Sequence, residues 1–413
     1  MTLDVAAIKA DFPIFDRQIN GKPIVYLDSG ATSQKPRAVL EAMDDYYRNH
    51  SASVNRGAYQ LASEANDLVD EARAAVARFI GAPKTHEVIF TKNATEAMNL
   101  FAYSWGHANL NEGDVVVITE MEHHANIVPW QMLVQSRGIE LRWIPITESG
   151  ELDLSELDTL LDGAKLVSVT AMSNVLGTMN PIRRLADAAH DVGAIMMTDA
   201  SQYVPHVPTD VTELGVDAMV FTGHKMLGPT GIGVLWGKTQ LLEAMPPFLG
   251  GGDMIMQVTK EGFTTNTLPH KFEAGTPMVA EIVGLGAAVK YLENLGMENV
   301  REHEVSLTAY ALRTLKERFG DDITIHGPSE PACRGGLLSV AYKDVHPHDL
   351  SQVLDQANVC VRAGHHCAKP LMQVMGVNST ARASLHVYND EADVDAFADA
   401  LESADDIFGG MGF

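Results

Sequence analysis

Apolar and polar positions change their period along this chain. Between about 64 and 80, Ala65, Leu68, Val69, Ala72, Val76, Phe79 and Ile80 recur at helical spacing, and Gly81 and Pro83 stop the run. From there to about 245, short apolar runs of strand length alternate with amphipathic stretches. The runs fall at 87–91, 114–119, 140–145, 165–172, 194–198, 216–221 and 231–236. Such alternation predicts βαβ units and a mainly parallel sheet covered on both faces. Residues 249–277 break the rhythm with Gly250-Gly251-Gly252, strand-like pieces and a close at Gly275-Thr276-Pro277. A long helix is predicted over 279–294, and 298–413 reads as a smaller α/β unit that starts with a helix. The chain shows no internal repeat and no low-complexity tract.

In a parallel sheet, ligands sit at the carboxyl ends of the strands. The run ending at Thr198 leads into Asp199-Ala200-Ser201-Gln202, and the run ending at Phe221 leads into Thr222-Gly223-His224-Lys225. An acid at one strand end and a lysine at the next suit pyridoxal phosphate. The aldehyde takes up a lysine amine, and the pyridinium nitrogen takes a carboxylate so that the ring can draw electrons. An Asp and a Lys at the ends of ordinary strands are nevertheless common. Thr91-Lys92-Asn93-Ala94-Thr95-Glu96 follows a strand and opens a helix, where backbone N–H groups receive a phosphate. Far along the chain, Arg362-Ala363-Gly364-His365-His366-Cys367-Ala368 places one thiol among cationic neighbours, which favour thiolate chemistry. Its bland alternative is a surface loop with a bystander cysteine.

Taken in order, these segments resemble the group II (SufS-type) cysteine desulfurases, within class V of the fold-type I pyridoxal phosphate enzymes. The resemblance runs from Phe12-Pro13 to Val387-Tyr388. It is carried by Tyr26 to Ala31, Met121 to Asn126, Ser173 to Gly177, Thr222 to Lys225, Phe272 to Pro277 and Arg362 to Ala368. It implies an α/β fold with a large cofactor-binding domain (25–295), built on a mainly parallel seven-stranded sheet flanked by helices. Residues 1–24 and 296–413 would form a smaller α/β domain.

The resemblance also assigns roles. Lys225 would hold the cofactor, Asp199 would face its pyridine nitrogen, and Gln202 would bond its phenolic oxygen. His123 would stack on the ring and serve as acid or base, while His124 would be structural. Thr95, Thr222 and His224 would bind the phosphate, with Thr276 supplied by the other subunit of a homodimer. Many relatives carry a hydroxyl where this chain has Ala94, so one side-chain contact would be missing there. Arg382 would take the substrate carboxylate, a task that suits a planar bidentate donor. Asn174, Arg362 and Arg56 would assist, Arg56 across the dimer. Cys367 would accept the sulfur of L-cysteine, release alanine and carry a persulfide for iron–sulfur cluster assembly. Group I relatives have a longer mobile cysteine loop, so the short loop here implies a dedicated acceptor protein. His346-Pro347-His348-Asp349 resembles the motif of relatives that pass sulfur to a zinc-containing SufU-type acceptor, with His348 a transient ligand to the acceptor's zinc. A SufE-type acceptor is the alternative. Without the resemblance, the motif reads as a helix start, with Pro and Asp as ordinary signals.

Composition narrows the field. The chain has 413 residues, 46% of them hydrophobic, and a formal net charge of −24. That charge repels nucleic acid and anionic membrane surfaces, so neither is an expected partner. No run of about 18 apolar residues is present, and the N-terminus lacks signal-peptide character. Three cysteines without framework spacing fit a reducing, cytoplasmic setting. Two rival functions remain in view. A selenocysteine lyase or class V aminotransferase would use the same scaffold, although Cys367 in its motif argues against the aminotransferase. An inactive metal-binding subunit would use His365, His366 and Cys367. The absence of Cys-x-x-Cys, together with Lys225, Asp199 and Arg382, argues against it.

Overall fold

The computed structural model describes residues 3–55 and 57–408, without the side chains of 405–408. Seven strands form the main sheet: β1 Val88–Thr91, β2 Val115–Thr119, β3 Glu140–Ile144, β4 Ala164–Thr170, β5 Ile195–Asp199, β6 Ala218–Thr222 and β7 Gly233–Gly237. Their order is β1-β7-β6-β5-β4-β2-β3. All neighbouring pairs are parallel except those of β7, which runs antiparallel to both β1 and β6. Every residue of β1, β2, β6 and β7 is buried. Continuous apolar runs of this kind belong to a sheet covered on both faces. One cluster, including Val117, Val167, Met219 and Trp236, packs on one face. Another, including Ile118, Leu166, Met197 and Trp130, packs on the other. The alternation along each strand therefore divides its side chains between two cores.

The observed strands match the predicted runs to within two or three residues. The helix predicted over 279–294 spans Val279–Leu295, and the earlier one spans Gln60–Phe79. The irregular segment holds a small antiparallel hairpin, Ile255–Val258 with Phe263–Thr265.

A second, antiparallel sheet contains β8 Ile323–His326, β9 Leu337–Tyr342, β10 Arg362–Gly364 and β11 Thr380–Ser384, in the order β8-β9-β11-β10. The helices Met297–Phe319, Pro347–Gln356 and Glu391–Phe408 pack with it. Its core includes Leu315, Val340, Leu354 and Phe397. The first residues of the chain touch both units. Ile8 and Phe12 join a core of the large sheet, whereas Val25–Tyr26 pairs in parallel with Val359–Cys360 and Leu27 enters the core of the small sheet.

Six strands of the main sheet share one direction, so their carboxyl ends lie along one edge. The loops after Thr91, Thr119, Thr170, Asp199 and Thr222 leave from that edge. The turn after β10 meets them from the small sheet, where the amide of His124 donates to the Cys367 carbonyl at 2.7 Å.

Candidate active site

A cavity of about 200 Å³ is lined by Asn93, Ala94 and Thr95 after β1, His123 after β2, Asn174 after β4 and Asp199 with Gln202 after β5. Thr222, His224 and Lys225 join them from the end of β6, and Arg362, Cys367 and Arg382 from the small sheet. Twelve sequence-predicted residues thus share one cavity. Thr276 does not line it; it is exposed and borders a surface groove with Lys92 and Leu249. Arg56 lies outside the described residues.

The floor is built for an aromatic cation with a phosphate tail. Asp199 is 5% exposed, and its Oδ1 accepts from the Ser201 amide at 3.0 Å. A buried carboxylate wants a cationic or N–H partner, and a pyridinium nitrogen supplies both. Gln202 donates from Nε2 to the Gly30 carbonyl at 2.7 Å, while its Oε1 is buried without a partner. Such an orphan in a cavity wall fits a polar ligand. At the phosphate end, Asn93 caps the helix Ala94–Phe101 by accepting from the Glu96 amide at 2.8 Å. The first amides of that helix, on Ala94 and Thr95, have no intrahelical acceptor and suit an anion. Gly233 of β7 lies directly against this turn. A Cβ there would stand 2.3 Å from the Asn93 carbonyl carbon and 2.7 Å from the Ala94 nitrogen. These features fit pyridoxal phosphate, with Lys225 available to its aldehyde.

Electrostatics sort the bases. Burial, opposed by Asp199, lowers the Lys225 ammonium to about 8, which makes the free amine accessible near neutral pH. Burial and the charges of Lys225, His124, Arg362 and Arg382 hold His123 down to about 3. The His123 imidazole is therefore neutral. Its Nδ1 accepts from the Ala125 amide at 3.0 Å, which leaves the proton on Nε2. Burial, Lys225 and Lys35 lower His224 to about 4.

The substrate side carries two arginines. Arg362 and Arg382 are direct cross-strand partners on β10 and β11. Two guanidinium groups on one face repel each other unless an anion joins them. Arg382 is 1% exposed, donates to the Asn174 carbonyl at 2.7 Å and pairs with Asp28 at 3.5 Å, with its Nε unpartnered. Burial draws it down to about 10, so it remains a cation. Of the three free cysteines, only Cys367 lines the cavity. Burial, Asp355 and Asp28 push the Cys360 thiol up, which suppresses its thiolate.

The aminotransferase class-V model matches residues 25–397. The chain belongs to this family. Within it, the chain groups with the cysteine desulfurases. It is 50% identical to a probable cysteine desulfurase of Streptomyces coelicolor, over 98% of both chains. It is 47% identical to a cysteine desulfurase of Haloferax volcanii, again over 98% of both. Among solved structures, the apo cysteine desulfurase of Thermococcus onnurineus superimposes with a TM-score of 0.93 at 37% identity, covering 99% of each chain. The S-sulfonic acid form of the Escherichia coli cysteine desulfurase CsdA gives 0.89 at 34% identity, covering 98% of this chain and 100% of that one. Class-V enzymes of this group depend on pyridoxal phosphate, in accord with the cavity.

Sequence reasoning missed several lining residues. Ser201, Thr170 and Met172 are among them; Ser201 stood in the Asp199 to Gln202 segment, whereas Thr170 and Met172 lay in the 165–172 run, read only as a strand. Asp28 lay in the quoted Tyr26 to Ala31 segment without a role, and it pairs with Arg382. Gly233 gave no local signal, because its tight contact is with a turn some 140 residues earlier. Among the described residues, no group of three or more His, Cys, Asp or Glu side chains is placed to hold a metal ion.

Proposed function

We propose that the chain is a group II, SufS-type cysteine desulfurase that moves sulfur from L-cysteine to Cys367 and feeds iron–sulfur cluster assembly in the cytoplasm. The observation that carries this reading is the joining of Lys225, Asp199, His123, Arg382 and Cys367 in one cavity. Bound pyridoxal phosphate supplies an electron sink for the carbon atoms of the substrate. Lys225 holds the cofactor and afterwards moves protons at the substrate α-carbon. Asp199 keeps the pyridine nitrogen protonated. Thr95, Thr222, His224 and the amides near Ala94 anchor the phosphate. Arg382, assisted by Asn174, Arg362 and Arg56, orients the substrate carboxylate, and the Nε2–H of neutral His123 is the donor available to the reacting groups. The Cys367 thiolate attacks the substrate sulfur. The sulfur–carbon bond breaks, both sulfur atoms are oxidised to the persulfide, and the substrate β-carbon is reduced to the methyl group of alanine. Atoms balance without an external oxidant.

A test follows directly. The purified protein is expected to be yellow, and L-cysteine with a reductant to release alanine and sulfide in equal amounts. Borohydride reduction and peptide mapping place the pyridoxyl group on Lys225. An adduct on another lysine would refute the assignment.

The protein is further read as a homodimer. Thr276 is exposed in its own chain, and Leu249, Met256, Val258 and Phe263 expose apolar surface nearby in sequence. For the acceptor we favour a zinc-bearing, SufU-like protein over a SufE-like one. His346 and His348 are both exposed and stack with ring centroids 5.5 Å apart at the start of the helix Pro347–Gln356. His348 can replace a thiolate on the acceptor's zinc. Such an acceptor raises alanine formation several-fold, and His348→Ala removes most of the increase. Equal stimulation of both proteins would reject the ligand exchange and favour the zinc-free acceptor.

A further inference from the structure

The turn that carries Cys367 is held in an unfavourable backbone conformation. His366 and Cys367 have φ of +50° and +57°, two consecutive left-handed residues, neither of them Gly, Asn or Asp. Each costs backbone energy that the surroundings must offset. The bonds made by Cys367 itself are backbone bonds: its carbonyl accepts from the His124 amide at 2.7 Å, and its amide donates to His365 Nδ1 at 3.2 Å.

The side-chain anchor belongs to His366. Its ring is 3% exposed, and Nε2 lies 2.9 Å from Thr380 Oγ1 on β11, a hydroxyl with no exposure. Its carbonyl accepts from Asn174 Nδ2 at 2.6 Å, and the Asn174 carbonyl accepts from Arg382. One buried imidazole therefore ties the cysteine turn to the sheet and to the loop that also touches the substrate arginine.

We propose that His366 is a positioning residue that holds the turn in its left-handed form and so keeps the Cys367 sulfur in the cavity. It acts through the backbone; its ring also lines the cavity with Nδ1 unpartnered, and comparing kcat with the labelling ratio separates positioning from direct contact. The proposal rests on the reading of Cys367 as sulfur acceptor only for its effect on turnover; the position of the thiol is tested separately.

The experiment uses the pyridoxal phosphate-loaded protein and two variants. His366→Phe keeps ring volume and loses Nε2, and Thr380→Val keeps shape and loses the hydroxyl. Cys367 is labelled with N-ethylmaleimide and with a bulky polyethylene glycol maleimide, and the exposed Cys333 is followed in the same digest as a reference. The ratio of bulky to small reagent rates reports access and is insensitive to thiolate fraction. It rises about fivefold at Cys367 in both variants, the effect of one lost hydrogen bond, and stays constant at Cys333. The kcat for alanine falls while KM for L-cysteine holds within about twofold, and His366→Gln, which restores an N–H, recovers part of the loss. Unchanged ratios in both variants would overturn the proposal. So would a fall in kcat without a change in the ratio, which would place His366 among the groups that contact substrate or cofactor. If His366→Phe does not fold, Thr380→Val alone decides by the same ratio. A fully active Cys367→Ser enzyme would refute the acceptor reading and leave the labelling result intact.

Discussion

Replacing Gly233 by Ala tests how the phosphate cradle is built. The added methyl carbon would stand 2.3 Å from the Asn93 carbonyl carbon and 2.6 Å from its Cα. Ordinary contact starts near 3.4 Å, so something must move by about 1 Å. Neither side can yield cheaply. Gly233 pairs with Thr91 on one side and Thr222 on the other, and Asn93 caps the helix that follows. Overpacking of this kind costs about 1–3 kcal/mol. The strain falls on the turn that presents the Ala94 and Thr95 amides and on Thr222. We therefore expect it to appear as weaker cofactor binding, by roughly 5- to 150-fold at about 1.4 kcal/mol per factor of ten. The assay is titration of the apoprotein with pyridoxal phosphate, followed by absorbance, together with thermal unfolding with and without cofactor. Gly250→Ala is the control, since a Cβ there meets nothing within 4 Å. An unchanged dissociation constant for Gly233→Ala, with Tm also unchanged, would refute the packing argument. A drop in Tm with normal affinity would show that the cradle is not what yields.

The remaining predictions concern the reacting groups. Cys367→Ser should bind cofactor and L-cysteine and release almost no sulfur, whereas Cys333→Ser and Cys360→Ser stay near wild type; sulfide assays on the three variants decide, and a dead Cys360→Ser would reverse the assignment. Arg382→Lys should lower kcat/KM for L-cysteine by roughly 10- to 150-fold, the range for a lost charged hydrogen bond of about 1.5–3 kcal/mol, and steady-state kinetics check it. Acid should destabilise the fold through His123 and His366, each held at about 3 by burial and by neighbouring cations. The folded values lie below the unfolded value near 6.5, so each contribution is complete above that pH and is lost as pH falls towards 3, at about 1.4 kcal/mol per pH unit per group. Denaturant melts between pH 7 and 4 measure this, and a flat midpoint over that range would contradict it.

Much of the fold was legible because its cause is local. The seven apolar runs sit where β1 to β7 form, since a strand buried on both faces must be apolar along its whole length. The reversal of β7 was not legible. Direction depends on how short the link from Lys225 to Gly233 is, and an antiparallel neighbour needs only a turn. The division of labour in the first forty residues was hidden for a similar reason. Val25–Tyr26 is too short to announce a partner, and its partner lies more than 330 residues away.

The site divides along the same line. Residues whose role follows from covalent chemistry, such as Lys225, Asp199 and Cys367, could be read from strand ends and motif order. Residues that act by fit could not. Gly233 matters because of an atom it lacks, Asp28 because Arg382 arrives from the other sheet, and His366 because Thr380 lies beneath it on β11. In the sequence His366 is one of two adjacent histidines beside a cysteine, and either could touch the thiol. The fold separates them: the exposed His365 accepts the Cys367 amide, and the buried His366 is anchored through Nε2 to Thr380. The motif marks the place where the chemistry occurs, and the packing of two sheets decides which of its members hold the sulfur there.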